Sequence, residues 1–96
     1  MNTVRIADLK VMRRELIGLC HEQPKLLGYA KSGSRWRPDT SKAAEMLCKG
    51  SGNLIRRVER ERCDADILYG DECTLARRYL REFDELKQEV GETAAV

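Results

Sequence analysis

Apolar residues recur at spacings of three and four in two stretches of this chain. Leu9, Met12, Leu16 and Leu19 with Cys20 make the first stripe, and Ala76, Tyr79, Phe83, Leu86 and Val90 make the second. Each spacing gathers its set on one face of an α-helix. The first predicted helix runs from Asp8 to about Glu22. Asp8 offers a carboxylate to the free N–H groups of the first turn, with Thr3 an alternative start, and Pro24 closes the helix because it lacks an amide hydrogen. Asp71 is the expected cap of the last helix, and Gly91 its stop, since glycine suits the left-handed backbone that ends many helices.

The middle of the chain has a shorter rhythm. Tyr29-Ala30-Lys31 and Ser34-Arg35-Trp36-Arg37 flank Ser32-Gly33, and pairing Lys31 with Ser34 sets Tyr29 opposite Trp36. A short β-hairpin over residues 28–38 fits this pattern, and so does an irregular basic loop. Asp39, Thr40 and Ser41 are stacked cap candidates for a helix over Lys42 to Cys48. Lys49-Gly50-Ser51-Gly52 reads as a break, and Asn53 as the cap of a further helix with Leu54, Ile55 and Val58 inside. Ile67, Leu68 and Tyr69 form an apolar bridge to Gly70. The expectation is an all-α fold of about four helices: a single small domain over residues 1–91 with a frayed tail over 92–96.

Composition agrees with that picture. Charged residues make up 35% of the 96, above the usual quarter, so much of the chain must be solvated helix face. No apolar run is long enough to cross a bilayer, and Arg5, Asp8 and Lys10 interrupt the start before a signal sequence could form. A cytoplasmic protein is expected, with Cys20, Cys48, Cys63 and Cys73 as free thiols.

The net charge of +2 conceals an uneven distribution. Gln23 to Arg62 holds ten Lys and Arg against four Asp and Glu, whereas Cys63 to Val96 holds nine acids against four bases. A basic segment of this kind points to a polyanionic partner.

The chemistry-bearing patterns are mostly negative. Cys20, His21, Cys48, Cys63 and Cys73 contain no close pair such as C-x₂-C, so no zinc site is expected. A single histidine beside an apolar-stripe cysteine supplies no oriented base, and Lys49-Gly50-Ser51-Gly52 lacks the strand and the following Lys-Ser/Thr of a phosphate loop. No catalytic residue, metal or cofactor is expected.

Residues Thr40 to Arg62 resemble a helix-turn-helix, with Ala44 and Leu47 inside the first helix and Leu54 anchoring the second. The pattern departs from the motif at Cys48, where glycine is preferred, and at Arg57, where an apolar residue is preferred. The resemblance implies a DNA-binding regulator whose second helix presents Asn53, Arg56, Arg57, Arg60 and Arg62 to the duplex. Lys49 before it, and Lys31, Arg35 and Arg37 beside Trp36, complete the expected basic surface. The competing expectation is a small protein-binding adaptor or inhibitor, of the compact kind encoded by phages and mobile elements, acting through its charged helix faces. The stripe Ala76, Tyr79, Phe83, Leu86 and Val90 reads either as core or as the seam of a homodimer.

Overall fold

The computed structural model describes residues 3–27 and 38–94. Their order is β1 (Val4–Arg5), α1 (Ile6–Glu22), a 3-10 turn (Pro24–Leu27), α2 (Pro38–Glu61), β2 (Ile67–Leu68) and α3 (Gly70–Ala94). The fold is all-α in class, with three helices among the described residues instead of four. The hairpin or loop expected over 28–38, with its Tyr29–Trp36 pair, lies outside the described residues, apart from Pro38, which opens α2.

α1 starts at Ile6, two residues before the expected cap. Asp8 is the third residue of the helix, and its carboxylate accepts the backbone N–H of Arg5 at 3.4 Å. An acid there also faces the positive end of the helix dipole. Leu9, Met12 and Leu16 are buried as the periodicity predicts. Beyond Glu22, the N–H of Gln23 donates to Leu19 O at 2.9 Å, and Leu26 from the 3-10 turn inserts into the core.

The larger correction concerns α2. The expected break at Lys49-Gly50-Ser51-Gly52 is absent, and a single helix runs from Pro38 to Glu61. Each glycine in a helix interior costs about 1 kcal/mol relative to alanine, yet both stand where a neighbouring side chain leaves little room. A Cβ on Gly50 would stand 2.8 Å from Tyr79 Cζ, and one on Gly52 would stand 3.0 Å from Arg13 Nε. The small residues therefore serve close packing between helices. Ser51, fully buried between them, donates its hydroxyl to Leu47 O at 2.5 Å, so its polar group is satisfied within the helix. Asn53 is consequently a mid-helix residue rather than a cap.

With α2 continuous, its buried positions Thr40, Ala44, Leu47, Ser51, Leu54 and Val58 form one inward stripe. It meets Leu9, Met12 and Leu16 of α1 and Ala76, Phe83, Leu86 and Val90 of α3 in a shared core. Burying a leucine or phenylalanine fully is worth about 1.5–3 kcal/mol, so this stripe holds the bundle together. Across the helices, Lys10 pairs with Glu59 at 2.7 Å and Lys87 with Glu15 at 3.7 Å, both exposed and contributing little.

Two further features were not legible in the pattern. Val4 pairs with Leu68 and Arg5 with Ile67 in an antiparallel ladder, so the apolar bridge after α2 is a strand that receives the start of the chain. Gly70, at φ +57°, then turns the backbone into α3 through a conformation that side chains with a Cβ disfavour. Asp71, the expected cap, lies in the first turn of α3. At the other end, α3 passes through Gly91 and reaches Ala94, so the expected stop at Gly91 is not where the helix ends.

Candidate nucleic-acid interface

The outward face of α2 is set by the residues that its inward face excludes. Because Leu54 and Val58 point into the core, Asn53, Arg56, Arg57 and Arg60 are turned to solvent one turn apart. They border a groove of about 480 Å3, whose opposite wall is formed by Leu75 and Tyr79 of α3 and whose floor includes Gly50. Gly50 matters here because its lack of a side chain lets the Tyr79 ring lie against α2.

The three arginines differ in their engagement. Arg56 donates through Nη2 to Asn53 Oδ1 at 2.6 Å, which orients its guanidinium without neutralising it. Among the described residues, Arg57 and Arg60 have no carboxylate partner. An arginine stays charged at any physiological pH, so three such groups around one groove make a standing positive field. Tyr79 contributes an aromatic wall, with the guanidinium of Arg78 over its ring at 5.7 Å and Arg78 also paired with Glu82 at 3.4 Å.

Arg62 does not join this set. Its Nη2 lies 2.5 Å from Glu72 Oε2 and its guanidinium stands 5.6 Å from the Tyr69 ring centroid, so it ties the end of α2 to the start of α3. Lys49 is exposed and pairs with Glu45 one turn earlier at 2.8 Å, outside the groove lining. Lys31, Arg35 and Arg37 lie outside the described residues. The stripe read as either core or dimer seam contributes to the core. Ala76, Phe83, Leu86 and Val90 are buried within one chain and are not a free face, while half-buried Tyr79 reaches the groove.

Guanidinium groups are chemically suited to hold anions. Among the described residues no three His, Cys, Asp or Glu side chains gather as a metal site would need. Burial pushes the Cys20 thiol up from its ordinary value, and neighbouring Cys48 adds to the effect. No helix of the described residues is long and apolar enough to cross a membrane.

Leu75 and Tyr79 are the site residues that pattern reading missed. Tyr79 was read into the stripe of the last helix and Leu75 was not singled out, and only the close approach at Gly50 brings Tyr79 beside the arginines. Comparison with known proteins finds no matching family model, no matching curated protein and no matching solved structure. The functional reading therefore rests on this geometry.

Proposed function

We propose that this is a small non-enzymatic binding protein that grips the phosphate backbone of a nucleic acid on the outward face of α2. The observation that carries the reading is the convergence of Arg56, Arg57 and Arg60 on one groove, where two of them have no acidic partner among the described residues. Guanidinium groups match phosphate oxygens in fork geometry, and such contacts dominate nucleic-acid affinity. The helix-turn-helix geometry is not part of the proposal, because α2 has no turn at Gly50. Recognition by a protruding second helix gives way to backbone gripping.

The test is fluorescence anisotropy with labelled nucleic acid at two salt concentrations, on wild type and on Arg56→Ala/Arg57→Ala/Arg60→Ala. The variant keeps its fold, since Leu54 and Val58 carry the packing, and loses affinity. Its slope of log affinity against log salt becomes shallower by about 0.7–0.9 per phosphate contact removed. Wild type that binds no nucleic acid at low salt refutes the reading.

A second reading, the protein-binding adaptor or inhibitor, is favoured by one observation. Met46 is 57% exposed and stands in a second cleft of about 410 Å3 between the first half of α2 and α3, which shares Tyr79 with the arginine groove and has Lys42 and Glu85 among its lining residues. Met46→Lys separates the readings: it disrupts docking of a partner protein there and leaves nucleic-acid binding by the arginine groove unchanged.

A further inference from the structure

Resting on the nucleic-acid reading above, we infer that the groove between α2 and α3 takes single-stranded nucleic acid in preference to duplex, with a base against Tyr79 and the adjoining phosphates on Arg57 and Arg60.

The shape of the site decides between the two forms. A duplex keeps its base edges inside grooves, and proteins read it by inserting a protruding helix or ribbon into a major groove about 12 Å wide. Here the relation is reversed. α2 packs against both α1 and α3, and the arginines line a depression of about 480 Å3. That volume is within the range of about 300–1,000 Å3 typical of small-molecule sites. It suits an unpaired nucleotide that enters from its strand, whereas a paired base cannot reach the floor.

The composition of the walls points the same way. Sites for single strands combine a positive groove along the backbone with aromatic rings on which bases stack. Tyr79 faces the arginines across the groove, and its position depends on Gly50, whose missing side chain gives the ring its place against α2. Leu75, one turn earlier on α3, extends the apolar wall. Asn53 holds Arg56 through its side-chain oxygen, which leaves the amide hydrogens of Asn53 to meet a base edge. A site built only for duplex phosphates has no use for an aromatic wall within a concavity.

The experiment compares labelled oligothymidylate with a mixed-sequence duplex of equal length by anisotropy at low salt. Wild type should bind the single strand at least about ten-fold more tightly. Tyr79→Leu should reduce single-strand affinity by about ten-fold, the scale of one lost stacking contact, while Tyr79→Phe retains it. Because Tyr79 is half-buried, thermal melts of both variants accompany the titrations. Arg60→Glu, on an exposed side chain outside the core, provides a second variant and should abolish single-strand binding. Equal or tighter binding of the duplex overturns the inference and leaves the nucleic-acid reading standing, whereas no binding of either probe defeats that reading itself. Unchanged single-strand affinity in a folded Tyr79→Leu, or in Arg60→Glu, also overturns the inference.

Discussion

Replacing Gly50 with alanine tests whether α2 is one helix packed against Tyr79, and the structure sets the size of the effect. Two opposing terms act. Alanine in a helix interior is favoured over glycine by about 1 kcal/mol, and a methyl 2.8 Å from Tyr79 Cζ must displace the ring, which as overpacking costs about 1–3 kcal/mol. The single variant should thus be destabilised by about 0–2 kcal/mol. In a Tyr79→Ala background the obstacle is gone and only the propensity gain remains, so the same change should stabilise by about 1 kcal/mol. The propensity term cancels in a double-mutant cycle, leaving the overpacking term as a coupling of about 1–3 kcal/mol. Urea denaturation of the four proteins, followed by far-ultraviolet circular dichroism, measures it, with equal m-values as the condition for comparison. Additivity within about 0.5 kcal/mol would refute the reasoning, because a Gly50 placed in an exposed turn has no contact with Tyr79 to lose.

Other substitutions address the rest of the framework. Gly18→Ala, on α1 with open space around the new methyl, should raise stability by about 1 kcal/mol, whereas Gly70→Ala, forced into φ +57°, should lower it by about 1–2 kcal/mol; chemical denaturation separates the signs. Phe83→Asp, at a side chain 3% exposed in the core, should abolish cooperative thermal unfolding, and a folded protein with wild-type melting would contradict the core placement. Maleimide labelling of the native protein should modify exposed Cys63 before Cys20, whose rate climbs as pH rises toward its elevated pKa. Because the folded state holds the Cys20 proton to higher pH than the unfolded chain does, its contribution to stability is present at neutral pH and is lost as pH rises through the raised value.

What the sequence disclosed followed from how local each signal is. The stripes Leu9 to Leu16 and Ala76 to Val90 were legible because helix periodicity repeats over several turns. Gly50 and Gly52 misled because glycine is a helix breaker on its own account, and what retains it inside α2 is the bulk of Tyr79 and Arg13 on other helices. No pattern within Lys49 to Gly52 carries that information. The strands escaped notice for a related reason: two residues have no period, and Val4 finds Leu68 only through the fold. The arginines of the groove were visible as a basic run, but their separation into three around one depression and a fourth, Arg62, bound to Glu72 depended on where α3 begins.

The short ladder between β1 and β2 has a consequence for the order in which the molecule is assembled. It joins positions roughly sixty residues apart, with the N–H of Ile6 donating to Asp66 O at 2.9 Å beside it. On a ribosome, which delivers the chain from its N-terminus, Val4 and Arg5 emerge before α1 and α2 and wait for their partners until both helices are outside. α1 and α2 have their mutual contacts available in that interval, and closing so long a loop becomes affordable only once the helices have drawn its ends together. Strand pairing and the docking of α3 therefore fall late and together, so β1, made before either helix it follows into the fold, is among the last elements to be fixed.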